Sequence, residues 1–505
     1  MPTRPTATLW AQLFERSRVS GMSLQNQIRQ MIVNAILSGH IAPDSALPSS
    51  RELADQLNVS RNTVVLAYQQ LVEEGHLVSR ERSGHFVNPA TDELQRGFTA
   101  AGAAEASAVQ TQQGQPDWSA RIQHAPSNQR NIVKPANWQT YEYPFIYGQF
   151  DTELFPTCDW RESCMHGLSV MEIRNWAPDL IERDDETLVE QIRTRVLPRR
   201  GVFAMPEEIV VTNGCQQALY LIGDLLCGTQ TKVGMENPGY PDARNIFQHH
   251  NAQMVPLDVD EDGVVIDDED VIAPCDYVYV TPSHQCPTTV TMSIERRRKL
   301  LDLSLKHDFI IIEDDYESEN SFTGAPYPAL KSLDTAERVI YIGSLSKTLA
   351  PGLRLGYIVA PRSLIRELRA LRRLMIRHPA AYIQRAFATF LALGHHDTLL
   401  RKLSRVYKER AEALTAALTT RLPELHTSKV TGGASCWVEG PSWLDATRLA
   451  KDAQALGVLI EPGSVFFADP ADGQRCFRMG FSAIHAERIE PGVIALAQVT
   501  KQHRP

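Results

Sequence analysis

The sequence predicts a multidomain protein: a small N-terminal head of helices closed by a β-hairpin, followed by a large α/β domain. Three observations carry that expectation. At 505 residues the chain exceeds one ordinary domain. Its first ninety residues show helical spacing punctuated by cap signals, then a short strand-like run. From residue 138 onward, apolar strand-type runs alternate with helical patterns, as an α/β domain requires.

Composition sets bounds. The apolar share of 43% and charged share of 22% are those of a soluble globular protein. No segment has the unbroken apolar length of a membrane helix, and Met1 to Leu9 lacks the apolar core of a signal peptide. The eight cysteines are scattered, with no C-x-x-C pair. They read as reduced thiols of a cytoplasmic protein, with neither a disulfide frame nor a metal site. A net charge of −9 excludes polyanion binding by bulk electrostatics, so any nucleic-acid contact must be local.

In the head, Leu24 to Leu37 has apolar residues at helical spacing, with Ser23 as N-cap and Gly39 as a stop. Ser49 caps a second helix, and Glu52 three residues on completes a capping box. Leu53, Ala54 and Leu57 form its apolar face. Asn58-Val59-Ser60 makes a short turn, and Ser60 caps a third helix that turns Val64, Ala67, Tyr68, Leu71 and Val72 inward. Helix, three-residue turn, helix is the spacing of a helix-turn-helix. The start of its second helix, Ser60-Arg61-Asn62-Thr63, is then due to enter the major groove. Arginine suits guanine edges and asparagine adenine, while threonine reaches phosphate or a thymine methyl. Leu77 to Val87 reads as a hairpin wing with its turn near Ser83-Gly84. Arg80, Arg82 and His85 on it are candidates for phosphate or minor-groove contact, with Ser49 and Arg51 beside them. Residues 1–90 hold eight arginines, no lysine and seven acids, a balance of only +1. The arginines must therefore gather on one face, and the motif spacing rather than the charge carries the DNA-binding reading. Such a half-site reader needs a dimer for affinity and specificity.

Between Thr91 and about Asn137 periodicity fails. The small and polar run reads as a flexible or partly helical tether, a linker over 91–137.

The large domain, 138–505, carries the chemistry. Val339 to Gly343 reads as a buried strand leading into Ser344-Leu345-Ser346-Lys347 and on to Arg354. Desolvation beside a core strand favours the free amine of a lysine, which an aldehyde needs to form a Schiff base. Ser344, Ser346 and Arg354 offer hydroxyls and a guanidinium suited to a phosphate. An aldehyde and a phosphate together suggest pyridoxal 5′-phosphate. Upstream, Phe309 to Ile312 is a second apolar strand, with acids clustered where it should end. Ligands of α/β folds bind beyond the carboxyl ends of strands. Asp314 there can pair with a protonated pyridine nitrogen, and Tyr316 can reach the ring hydroxyl. Ile209 to Leu221 is strand, glycine turn and helix; the amides of Gly214, Cys215 and Gln216 would face a phosphate from a helix N-terminus.

Taken together, residues from about 140 to 500 resemble a class I, fold-type I aminotransferase, and residues 20–90 resemble a GntR-type winged helix-turn-helix. The motifs are Leu47-Pro48-Ser49-Ser50-Arg51-Glu52, Val59-Ser60-Arg61-Asn62-Thr63, Asn237-Pro238-Gly239-Tyr240, Thr281-Pro282-Ser283-His284-Gln285, Glu313-Asp314-Asp315-Tyr316 and Ser344-Leu345-Ser346-Lys347. In this order they resemble the MocR branch of the GntR regulators. The resemblance implies that Tyr240 stacks on the pyridine ring, that His284 lies on its hydroxyl side, and that Arg478 grips a ligand carboxylate. It also implies a homodimer in which each DNA head crosses to the partner. Two departures stand out. The glycine usual after the His-Gln-x-Pro segment is missing from Pro287-Thr288-Thr289-Val290-Thr291. Arg174 to Leu180 leads into the acidic run Glu182-Arg183-Asp184-Asp185-Glu186 in place of a glycine-bearing loop. The pocket is therefore expected to differ from that of a general amino-acid aminotransferase. The expected function is a transcriptional regulator that binds operator DNA and senses an amino compound, or the cofactor itself. The alternative is a working aminotransferase with an accessory DNA head.

Overall fold

In the computed structural model, residues 7–16, 21–80, 84–89, 116–317, 319, 321–322 and 327–504 are described. They fall into two compact units, 1–123 and 124–505.

Among the described residues the first unit holds four helices, α1 (Ala7–Arg16), α2 (Leu24–Leu37), α3 (Ser50–Leu57) and α4 (Arg61–Glu73), and a hairpin of β1 (Leu77–Arg80) and β2 (Gly84–Val87). Local sequence fixes the joints. The Ser49 hydroxyl accepts from the Glu52 amide while the Glu52 carboxylate accepts from the Ser49 amide. Asn58 adopts a left-handed φ of 53° and ends α3, and Ser60 caps α4 through the Thr63 amide. Ile28, Ile32, Leu53, Val64, Leu71 and Leu77 pack one core. The helix α1 was not expected, because its start is rich in threonine and proline. Trp10 and Phe14, four residues apart, lie on its buried face within the same core. The wing pairs Arg80 with Gly84. Of the turn expected near Ser83-Gly84, Gly84 begins β2, while residues 81–83, Arg82 among them, lie outside the described residues, as do residues 91–115 of the expected tether.

The second unit is built on an eight-stranded sheet. Its spatial order is Ile209–Thr212, Gly356–Val359, Val339–Ser344, Ile310–Asp315, Tyr277–Val280, Lys232–Asn237, Gln253–Asp260 and Gly263–Val264. The five strands from Val339–Ser344 to Gln253–Asp260 run parallel. Gly356–Val359 runs against both of its neighbours. Ile209–Thr212, Gly356–Val359 and Tyr277–Val280 are apolar or buried on both faces, as strands covered on both sides by helices are. A smaller sheet of His426–Thr427, Ser435–Glu439, Cys476–Gly480 and Glu461–Pro462 follows. It packs in one core with the helices His395–Arg421 and Ala486–His503. Residues 124–137, which composition assigns to the tether, are packed with this unit: Gln129 donates to the Asn245 carbonyl, and the Asn245 amide donates to the Arg130 carbonyl. Among the described residues no helix is long and apolar enough to cross a membrane.

Candidate functional site

Parallel strands deliver their carboxyl ends to one edge, and the register aligns what they carry. Ile342 pairs with Asp314 and Val280 with Glu313. Lys347 follows directly after the Val339–Ser344 strand. Its Nζ donates to the Tyr147 hydroxyl at 2.9 Å and lies 4.4 Å from that ring's centre and 5.3 Å from that of Tyr316. Burial holds the Tyr147 phenol well above its usual range, so it stays protonated.

The acids expected beyond the strand lie instead inside it and are buried. Their environments separate their roles. Glu313 accepts from the Leu330 and Lys331 amides, and burial raises it to about 7. Asp315 is consumed by Arg200 and the Tyr341 hydroxyl, and the Arg200 guanidinium holds it low against its burial. Asp314 accepts from Tyr279 at 2.9 Å through Oδ2, while its Oδ1 has no hydrogen-bond partner. Burial pushes it up to about 6, despite the Tyr279 hydroxyl and the nearby Lys347. The Cys215 thiol is a neighbour of Asp314, and Ser344 and Arg354 lie near that thiol.

At the end of the Ile209–Thr212 strand the chain enters the helix Gly214–Leu226. Gly214 has a φ of 75°, which only glycine adopts without strain, and an added Cβ would lie 3.3 Å from the Arg354 guanidinium. Arg354 is exposed and donates to the Asn213 carbonyl at 3.2 Å. Gly214, Cys215, Gln216, Ser344 and Arg354 thus gather at one corner. Ser346 does not join them: its hydroxyl is tied to the backbone of Leu355, donating to the carbonyl and accepting from the amide. The Tyr240 hydroxyl donates to Gln216 and Asp242, and Asp314 and Cys286 act electrostatically on its phenol.

The loop after Tyr277–Val280 is held from below. Buried Glu236, raised to about 7 by desolvation, accepts from the Thr281 amide and hydroxyl and from Gln285. The Tyr316 hydroxyl donates to the His284 carbonyl rather than pointing into open space. His284 is buried, its Nδ1 has no partner, and burial lowers it to about 4. Where the expected glycine is missing, Thr289 carries a φ of 64°. A β-branched residue in that region is strained.

Arg478 is 2% exposed and already engaged. Its Nε donates to Glu461, its cross-strand neighbour, at 2.8 Å. Its guanidinium stacks 4.3 Å from the Tyr147 ring centre, and its Nη2 has no partner. The acidic run near 182–186 turns away from this site. Asp184 pairs with Arg372 and Arg369, and Asp185 with Arg385. Sequence reasoning gave no role to Tyr147, Cys286, Glu461 or Lys134. They meet the site through pairings remote in sequence.

In the head, Ser49, Arg51, Ser60, Arg61 and Asn62 are exposed and Thr63 is half-buried. The Ser49 and Ser60 hydroxyls are spent on caps, and Thr63 shares a 2.8 Å hydrogen bond with Ser60. Arg51, Arg61 and Asn62 keep free solvent-facing ends of helices. Arg80 is ion-paired with Asp44 and lies over Phe86. The His85 ring packs edge-on against Tyr68 at 4.9 Å.

With this geometry in place, the comparisons with known proteins bear on the whole chain. Residues 187–496 match the family model described as aminotransferase class I and II, and residues 24–87 that described as bacterial regulatory proteins, gntR family. The HTH-type transcriptional regulator TauR of Rhodobacter capsulatus is 40% identical over 480 residues, 95% of this chain and 97% of that one. The probable rhizopine catabolism regulatory protein MocR of Rhizobium meliloti is 31% identical over 95% of this chain and 94% of its own. Among solved structures, kynurenine aminotransferase of Pyrococcus horikoshii, in complex with PMP, superposes with a TM-score of 0.69. It is 26% identical and covers 74% of this chain and 96% of its own.

Proposed function

Because the chain belongs to the MocR subfamily of GntR-type transcriptional regulators, we propose that its large unit holds pyridoxal 5′-phosphate on Lys347. There it reads an amino compound and passes the outcome to operator binding by the head. One observation carries the cofactor reading: a lysine amine lies near a buried aspartate, one of whose oxygens has no hydrogen-bond partner. A buried acceptor without a donor costs about 1–3 kcal/mol, and a protonated pyridine nitrogen supplies that donor. When bound, the cofactor supplies an electrophilic carbon and an electron-withdrawing ring.

The chain's own groups do the rest. Lys347 anchors, and the Tyr147 phenol orients its amine. Asp314 keeps the ring nitrogen protonated, with Tyr240 against the ring. The amides of Gly214, Cys215 and Gln216, with Ser344 and Arg354, take the phosphate at the helix N-terminus. Arg478 offers Nη2 to a ligand carboxylate, and His284 and Tyr316 close the hydroxyl side. In the head, Arg51, Arg61 and Asn62 read the groove, and Arg80 reaches phosphate only by leaving Asp44. The working form is a homodimer in the cytoplasm. The ligand acts by binding the two states of the sensor unequally.

Imine absorption by the purified protein, lost in Lys347→Ala, tests the anchor; a wild-type protein that takes up no cofactor sinks it. Operator affinity measured with and without a panel of amino compounds tests the sensing. The free Nη2 of Arg478 also favours a second reading, a working aminotransferase. Keto-acid release at about 1 s⁻¹ or faster would decide for that enzyme.

A further inference from the structure

Three cations surround Tyr147. The Lys347 Nζ lies 4.4 Å from its ring centre, the Arg478 guanidinium 4.3 Å and the Lys134 Nζ 6.0 Å. Lys134 comes from the segment 124–137, the part of the large unit nearest in sequence to the DNA-binding head. That segment is fastened at four places. Gln129 donates to the Asn245 carbonyl, and Asn245 donates back to the Arg130 carbonyl and to Asn131. Arg130 donates to the carbonyls of Phe467 and Ala468. Ile132 packs beside Cys286, Trp437 and Phe466. Lys134 donates to the Tyr147 carbonyl and lies 3.3 Å from Glu461 Oε1. The same Glu461, 3% exposed, accepts from Arg478 through its other oxygen. One buried carboxylate therefore bridges two cations, leaving the trio with a charge of +1 and Arg478 Nη2 unsatisfied.

We propose that residues 124–137 are a strap whose hold on the large unit reports an anion bound at Arg478, with Lys134 as the positioning residue that transmits it. The proposal deepens the ligand-site reading above and rests on it in one respect, that Arg478 receives the ligand's anionic group. An anion at Nη2 brings the trio to neutrality and removes the repulsion Arg478 exerts on Lys134, which now opposes the pull of Glu461. The lysine is then held more firmly, and the strap with it. By reciprocity, a strap pulled loose weakens anion binding by the same factor. The device makes the chain leading to the head a direct reader of the site's charge.

The test uses the full-length protein loaded with pyridoxal 5′-phosphate and propionate as probe, a carboxylate with no amine. Calorimetry of wild type and Arg478→Gln establishes binding at the arginine, and hydrogen exchange follows residues 124–137. Saturating propionate should slow exchange there by about threefold to tenfold in wild type and in Lys134→Arg, and leave Lys134→Met unchanged. Glu461→Gln, which cuts the bridge but keeps the lysine, should also lose the response and serves if Lys134→Met does not fold. Equal slowing in Lys134→Met or Glu461→Gln, no slowing in wild type, or no Arg478-dependent binding of propionate would each overturn the proposal. The imine band is read in the same samples. Its absence would remove the cofactor reading alone, because propionate needs no imine to reach Arg478.

Discussion

The two ends of the chain handle polar groups in opposite ways. In the head, Arg51, Arg61 and Asn62 stand in solvent, and the Ser49 and Ser60 hydroxyls are satisfied by the helices they cap. In the large unit, Asp314 Oδ1, His284 Nδ1 and Arg478 Nη2 are buried without partners. A nucleic acid is met by groups that water already serves, so the free head carries no strain for its function. In the proposed ligand site the groups are already stripped of water, and leaving such groups unpaired costs stability. The groups proposed for the one site are exposed, and those proposed for the other are buried.

Substitutions can break or sharpen that contrast. The largest effect should come from Lys347→Ala, which removes the covalent anchor: imine absorption should vanish outright while the far-ultraviolet circular dichroism stays unchanged. Next, Arg61→Ala or Asn62→Ala should weaken operator binding about 10- to 100-fold, the range of one base contact. Their unfolding free energy should hold within about 0.5 kcal/mol, as for any exposed position. A matching loss of stability would show that these residues support the fold instead.

Asp314→Asn should do the reverse in cofactor-free protein. Burial raises Asp314 from 3.8 to about 6. Its favourable share of stability is thus present below about pH 4 and is lost as pH rises through about 6. The variant should therefore be more stable than wild type at pH 8, by on the order of 1–3 kcal/mol, and equal to it near pH 4. Loaded with cofactor, the same variant should lose affinity for it. Thermal melts at the two pH values, with and without cofactor, check both signs. The smallest effect belongs to Thr289→Gly. Relief of a left-handed backbone is worth roughly 1–2 kcal/mol, and glycine's extra chain freedom takes back about 0.5–1. A gain of up to about 1.5 kcal/mol in a denaturant melt is expected; a loss would mean that the Thr289–Ser428 hydroxyl contact outweighs the strain.

The same contrast explains what could be read in advance. Caps and turns are local: Ser23, Ser49, Ser60 and Asn58 announce their helices within three or four residues, and the strand-then-lysine pattern at 347 is equally short. Pairings across long separations left no such signal. Nothing near Asp315 tells that Arg200 neutralises it and leaves Asp314 as the open acid. Nothing near Arg478 points to Glu461 seventeen residues before it, which meets it only because two strands align. Lys134 sits in a polar stretch with no periodicity, and its partners become visible only once the sheet brings Tyr147 and Glu461 together. In α1, a threonine- and proline-rich start hid a helix whose Trp10 is fully buried.

The antiparallel strand Gly356–Val359 lies directly beside the one that delivers Lys347. A methyl group at position 343 would sit 2.2 Å from the Tyr357 ring, and one at 356 would sit 2.9 Å from the Gly214 carbonyl carbon. Hydrogen atoms at these two positions thus set how closely the strand leading to Lys347 and the turn at Gly214 approach each other. A search for mutants blind to the effector should recover changes at 343 and 356 as readily as at the lysine, although neither residue has a functional group to lose.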